Sequence, residues 1–247
     1  MDLKIKDVAE LLNVSETTIR RWLSDGKIPA YRINHQYRFS RIEIENWMMR
    51  CKLKTQEEGF SPFHETQIYP PLDAGKEPQE APARGGMHHF CLYRAVHQGD
   101  VFSNIPGKTK EELIRWTTKT VAQKLAVDAD VLSELLLDRE ELMPTALNNG
   151  IAVPHTRDFL RKGPLDMVFI VYPKEPIDYG ALDGKAVHTL FFLFASNDKG
   201  HLQLLAKIAH LGDDSKALEF LMTKPDKMTL LDFIRSWEGL VVHSKSF

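Results

Sequence analysis

Apolar positions in the first fifty residues recur at helical spacing between short polar breaks. Ile5, Val8, Ala9, Leu11 and Leu12 predict a short amphipathic helix, which Asn13-Val14 ends. Ser15 is placed to cap a second helix, Glu16 favours its positive first turn, and Gly26 supplies a left-handed residue to close it. On that helix Ile19, Trp22 and Leu23 share one face, leaving Glu16, Thr17, Thr18, Arg20 and Arg21 free to face outward. The stretch from Ala30 to Phe39 alternates around a polar turn, as a short hairpin does. Ser40 and Glu43 then form a capping box for a third helix through Trp47 to Arg50.

No period survives over the next stretch. Residues 55–90 hold five of the thirteen prolines, with Gly59, Gly75, Gly85 and Gly86, and predict an extended linker; docking of Phe60, Phe63, Ile68 and Tyr69 on a domain is the alternative. From Leu92 the pattern turns to alternating helices and strands, an α/β signature. Thr109 with Glu112 caps a helix through about Leu125, and a second runs from about Ala129 to Leu137. Met167 to Tyr172 and Val187 to Phe194 read as strands, apolar enough to be buried on both faces. Helices are expected from about His201 to Leu211, Lys216 to Met222 and Leu230 to Trp237.

Length and charge sharpen this division. At roughly 100 to 200 residues per domain, 247 residues make one or two domains. Residues 1–54 carry eleven Lys and Arg against seven Asp and Glu, a net of +4; residues 55–90 carry two against six, a net of −4. A small basic unit joined to a larger near-neutral one points to an anionic ligand, with nucleic acid the obvious candidate. The longest apolar run, around Leu190 to Ala195, falls far short of the roughly 20 residues needed to span a bilayer. The N-terminus lacks the pattern of a signal peptide, and Cys51 and Cys91 alone suit a reducing compartment, so a cytoplasmic protein without membrane insertion is expected.

The candidate chemistry lies in Val153-Pro154-His155. A proline holds the preceding residue extended, and a strand-like run feeding it places the imidazole at the exit of a sheet, presented rather than buried. A neutral imidazole has one free lone pair and can attack phosphorus, with Arg139 or Arg157 suited to hold the phosphoryl oxygens. A loop histidine without chemistry is the plain alternative. Gly107-Lys108-Thr109 is not a phosphate loop, since Phe102 stands where that motif needs a glycine. His88, His89, Cys91 and His97 match no common zinc spacing, so no metal is assigned.

Two resemblances organise these features. The string Val8 to Ser15, followed by Thr18-Ile19-Arg20-Arg21-Trp22 and Gly26-Lys27-Ile28-Pro29-Ala30, resembles the winged helix-turn-helix domain of excisionases and the MerR family. That implies a recognition helix from Ser15 to Ser24 in the major groove and a wing from Tyr31 to Phe39 on the flanking backbone or minor groove. Thr17, Thr18 and Arg21 are then the base-edge candidates, and Arg20, Lys27, Arg32 and Arg38 the phosphate contacts. So small a unit implies a homodimer on double-stranded DNA. A packing or dimerisation module is the alternative.

Asp138-Arg139-Glu140, Thr145 to Arg157, Glu175 to Tyr179, Ala181 to Lys185 and Gly200 to Ala206 resemble enzyme IIA of the bacterial phosphotransferase system, in the mannitol/fructose class that includes the nitrogen-regulatory paralogue. The resemblance implies that His155 is phosphorylated by the phosphocarrier HPr, that His201 is the second active-site histidine, and that Arg139 is a supporting cation. No cofactor is implied beyond the phosphoryl group itself. Met143-Pro144-Thr145-Ala146 replaces the family's usual Ser-Thr-Gly run, and Asn148 stands where glycine is usual.

The expected architecture is thus two domains: a small, mainly α winged helix-turn-helix over 1–54, a linker over 55–90, and an α/β domain over 91–247 with a mixed sheet flanked by helices. The expected function is a phosphohistidine carrier that couples phosphotransferase flux to transcription, with regulated partner proteins as further expected partners. The alternatives are a IIA intermediate in sugar uptake and a phosphorylation-inactive DNA-binding interaction protein.

Overall fold

Helix caps and a two-residue turn shape the N-terminal unit of the computed structural model, which describes residues 2–12, 14–53, 90–156 and 165–243. Strand β1 (Asp2–Leu3) leads into α1 (Ile5–Leu12) and α2 (Glu16–Ser24), then β2 (Tyr31–Ile33), β3 (Gln36–Ser40) and α3 (Arg41–Leu53). Ser15 Oγ accepts from the Thr18 backbone N–H at 3.1 Å, so the expected cap forms. Asn34 and His35 both have positive φ, 47° and 62°, as a two-residue hairpin loop between right-twisted strands requires. The sheet has the order β1-β3-β2. Val8, Leu12, Ile19, Trp22, Phe39, Ile44 and Met48 are fully buried beneath it. The linker expected over 55–90 falls, but for Phe90, outside the described residues.

The second unit runs α4 (Cys91–Gln98), β4 (Val101–Ile105), α5 (Lys110–Leu125), α6 (Ala129–Leu142), β5 (Ile151–Ala152), β6 (Met167–Pro173), β7 (Thr189–Phe194), α7 (Asp198–Leu211), α8 (Ser215–Met222) and α9 (Lys227–His243). The sheet order is β4-β6-β7-β5, with β4 parallel to β6, β6 antiparallel to β7 and β5 parallel to β7. It is the expected mixed sheet flanked by helices. Alternate residues of the central strands serve opposite faces: Val168, Ile170 and Tyr172 join the core under α4, α7, α8 and α9, while Met167, Phe169 and Val171 join the core under α5 and α6.

Several boundaries differ from expectation. Helix α6 continues past Leu137 to Leu142, because nothing in Asp138-Arg139-Glu140 breaks a helix before Pro144. Helix α7 begins at Asp198, where the Asn197 side chain accepts from the Gly200 N–H at 2.9 Å, and this puts His201 in the first turn. Helix α4 and strand β4 were not anticipated. Gly99 lies between them, where a β-carbon would come within 1.8 Å of the Val168 carbonyl oxygen.

The two units touch. Helices α1 and α3 pack on α7, and one apolar cluster runs from Val8, Leu12 and Met48 through to Leu202, Leu205 and Ile234. Arg41 of α3 pairs with Asp198 of α7 at 2.8 Å, and Lys199 pairs with Glu10 at 3.5 Å.

Candidate functional site

His155 is delivered by the chain leaving β5. The Pro154 carbonyl accepts from the Leu193 N–H at 2.9 Å, and His155 forms a parallel bridge with Leu193, so the residue is fixed against β7. Its Nδ1 lies 2.7 Å from the Val153 carbonyl oxygen, which can only accept. Nδ1 therefore donates, and Nε2 is the nitrogen left to face the site. His201 meets it from the first turn of α7, the two rings standing edge to face at 5.1 Å between centroids.

Arg139 completes the trio from α6. Its guanidinium donates to the Met143 carbonyl oxygen at 2.9 Å, while Glu140 beside it accepts from the Thr145 N–H at 2.9 Å and from the Thr145 hydroxyl. The unusual Met143-Pro144-Thr145-Ala146 run thus does local work: Met143 anchors Arg139 and Thr145 is tied to Glu140. The Thr145 carbonyl in turn accepts from the Val153 N–H at 3.0 Å, so the loop is pinned to the segment that carries His155.

A residue that sequence reasoning missed sits at the centre. Glu45, from α3 of the N-terminal unit, places Oε1 2.9 Å from His155 Nε2 and 3.2 Å from the Arg139 guanidinium, and Oε2 3.1 Å from His201 Nε2. Its one sequence signal is its place on α3, one turn after Arg41 and in line with Met48 and Met49, where a carboxylate interrupts an inward-facing stripe. Burial pushes the Glu45 carboxyl up, but the charges and hydrogen bonds of His155 and His201 outweigh it and hold the group well below the usual carboxylate range. Burial is also the main cause that lowers His201 below the ordinary histidine value, against the pull of Glu45.

The expectation that His155 would be presented is corrected. Its side chain is 0% exposed, because α3 and α7 close over it. Glu45, His155 and His201 each offer a possible metal-ligand atom, all within 4.8 Å of one another. The Arg139 guanidinium already supplies positive charge to that carboxylate, so the cluster balances as hydrogen bonds and ion pairs. His88, His89 and Arg157 lie outside the described residues, and the His97 ring stacks on Tyr93.

The residues expected to meet DNA are not brought into this site. Thr17, Arg20 and Arg21 on α2 are exposed, as are Lys27 and Arg32. Arg20 reaches Glu16 at 3.8 Å and Lys27 reaches Asp25 at 3.4 Å. Thr18 is half-buried, its hydroxyl 2.9 Å from Ser15 Oγ, so it shares in the cap. On the hairpin Arg32 lies over the Tyr37 ring at 4.6 Å, and Arg38 donates to Gln36 Oε1 at 2.7 Å. Among the described residues, no helix is long and apolar enough to cross a membrane.

Both units are similar to known proteins. Residues 95–237 match the family described as phosphoenolpyruvate-dependent sugar phosphotransferase system, EIIA 2, and residues 3–52 match a helix-turn-helix domain. The chain is similar to the nitrogen regulatory protein of Pseudomonas aeruginosa, 33% identical over 146 residues that cover 58% of this chain and 94% of the relative. It is also similar to the nitrogen regulatory protein of Escherichia coli, 29% identical over 140 residues, covering 56% of this chain and 85% of the relative. The crystal structure of nitrogen regulatory protein IIA-Ntr from Neisseria meningitidis matches with a TM-score of 0.50 at 26% identity, covering 56% of this chain and 93% of that one. The matching segments, the mixed sheet and the helix-turn-helix unit together show that the chain belongs to the EIIA 2 family of the phosphotransferase system, with a helix-turn-helix domain on its N-terminal side.

Proposed function

We propose that this protein is a cytoplasmic regulator that accepts a phosphoryl group on His155 from an HPr-type phosphocarrier and couples that state to DNA binding. One observation carries the reading: Nδ1 of His155 is committed to the Val153 carbonyl, which directs Nε2 at a pocket holding His201 and Arg139. The neutral Nε2 lone pair attacks phosphorus of the carrier's phosphohistidine. An N–P bond forms on His155 as the carrier's N–P bond breaks, and the bonding pair returns to the carrier's ring nitrogen. Arg139 and His201 then donate to the transferred oxygens, adding fixed positive charge and hydrogen bonds where the phosphoryl charge settles. Among the described residues Arg139 Nε has no acceptor, a donor that the present arrangement leaves unmet.

The helix-turn-helix domain would dock α2 in the major groove of duplex DNA as a homodimer, with Thr17, Thr18 and Arg21 at base edges and Arg20, Lys27, Arg32 and Arg38 on phosphates. Incubation with HPr, its activating kinase and phosphoenolpyruvate should add one acid-labile, base-stable phosphate, lost in His155→Ala and slowed in His201→Ala and Arg139→Ala. Equal labelling of His155→Ala would refute the assignment. Anisotropy at matched salt should show DNA affinities about 5- to 150-fold apart between phosphorylated and unmodified protein. Identical isotherms would leave two uncoupled functions on one chain.

A further inference from the structure

We infer that Glu45 is a built-in occupant of the phosphoryl pocket, so that docking of the helix-turn-helix domain on α7 and a phosphoryl group on His155 exclude each other. The inference rests on His155 as the phosphoryl acceptor and adds the regulation of that site.

The Glu45 carboxylate takes the very donors that a phosphoryl anion would need. Its two oxygens are shared among His155 Nε2, His201 Nε2 and the Arg139 guanidinium, at 2.9, 3.1 and 3.2 Å. None of the three side chains is more than 2% exposed, and Glu45 is at 0%. Burying a carboxylate is costly unless it is paired this well, and every one of its partners in this set belongs to the other domain. A side chain placed so cannot be explained by folding of the helix-turn-helix unit by itself.

Docking closes the site in two ways. The Oε1 atom, 2.9 Å from Nε2, fills the space in which phosphorus and its oxygens would have to stand. The contact also engages the attacking nitrogen itself: Nδ1 is held to Val153 O at 2.7 Å, and Nε2, the other ring nitrogen, faces Glu45 Oε1 at 2.9 Å, so the direction of attack is taken up by the carboxylate. Phosphoryl uptake therefore requires α3 to withdraw. Once formed, phosphohistidine brings close to two negative charges to the position of the Glu45 carboxylate, and the two anions compete for one set of donors.

The rim of the contact is charged in a complementary way. Arg41 meets Asp198 at 2.8 Å and Glu10 meets Lys199 at 3.5 Å, both on the first turn of α7 beside His201. A phosphocarrier must reach Nε2 through the same opening, so α1 and α3 also compete with it for that face. Thr17, Arg20 and Arg21 stay exposed in the docked state. Phosphorylation thus changes how the DNA-binding unit is tethered rather than whether its recognition helix is covered.

The test uses the full chain with phosphorylated HPr-type carrier, reading the rate of phosphate uptake and the radius of gyration by X-ray scattering. Glu45→Gln and the rim variant Arg41→Glu, which leaves the pocket residues in place, should each speed uptake at least about 5-fold, the low end of ordinary coupling. Both should also be more extended than the unmodified protein, and phosphorylation should extend the wild type to match them. Labelling at equal rates in all three, with scattering unchanged by phosphorylation, would overturn the exclusion and leave His155 as acceptor. No label in any of the three would instead overturn the acceptor assignment, and the exclusion with it.

Discussion

Arg41 and Asp198 face each other at 2.8 Å across the contact between α3 and α7, one helical turn from Glu45 on one side and three residues from His201 on the other. The pair stands at the rim of the contact that holds the helix-turn-helix unit against the pocket of His155, His201 and Arg139. At 8% and 25% side-chain exposure it is shielded enough for Coulomb attraction to count beyond a surface pair.

Charge reversal at either end should therefore loosen docking, and reversal at both should restore much of it. Arg41→Glu and Asp198→Arg singly are expected to open the domains, measured as scattering or as proteolysis of the inter-domain contact. The double variant should recover a coupling of about 0.5 to 3 kcal/mol. Additive effects in this cycle would mean that the two side chains do not share their energy across the contact.

Acid should loosen the same contact. The folded state lowers His201, mainly through burial, so the unfolded chain binds the extra proton first as pH falls below the ordinary value of 6.5. The stability that depends on neutral His201 is full above that value and is lost as pH drops toward the lowered one. Glu45 acts in the same direction at lower pH: its contribution is present above 4.5 and drains away as pH falls toward its depressed value. The urea midpoint of the wild type should fall between pH 7 and 5 and again below 4.5. His201→Gln should flatten the first fall and Glu45→Gln the second. A wild-type midpoint that holds or rises on acidification would contradict both shifts.

What was legible in the sequence was local. The Ser15 cap, the Asn34-His35 turn and the two-faced strands β6 and β7 follow from residues within a few positions of one another, where period and propensity act. Helix α4 did not announce itself, because it starts from Phe90 in a left-handed conformation with no side-chain cap of its own. Its first-turn N–H groups are met by Glu238, 146 residues away from Leu92. The burial of His155 escaped for the same reason. The carboxylate that covers it lies 110 residues earlier, in another domain, and no periodicity encodes such a contact.

Glu238 gives a stability prediction. Its buried carboxylate accepts from the Leu92 and Tyr93 N–H groups at 3.3 and 2.9 Å and pairs with Lys207 at 3.4 Å. Glu238→Ala removes the acceptor and leaves two N–H groups of α4 unmet, so unfolding should become easier by about 2 to 4 kcal/mol. Burial, aided by Glu238, also pushes the Cys91 thiol up to about 11, which leaves roughly one thiolate in a thousand at pH 8. Cys91 should therefore react slowly with iodoacetamide in the native protein and faster in Glu238→Ala. Fast labelling of the wild type would show that α4 opens readily or that the thiol is not held as described.

On the proposed DNA interface the two arginines of α2 should separate. Arg20 and Arg21 are adjacent, so they point about 100° apart on α2 and cannot serve one base together. Arg20 pairs with Glu16 at 3.8 Å while both side chains remain half or more exposed, a contact weak enough to be exchanged for a phosphate. Arg20→Ala should weaken binding to all sequences alike and reduce the log-log salt slope by about 0.9, the change expected for one lost phosphate contact. Arg21→Ala should instead cost about 1 to 3 kcal/mol against one base pair, seen as a flattened preference when single positions of a selected site are varied. Fluorescence anisotropy over a salt series, run on both variants with a selected site and a scrambled one, reads the two effects separately. The same loss on both sites from each variant would place both arginines on the backbone and leave base readout to Thr17 and its neighbours.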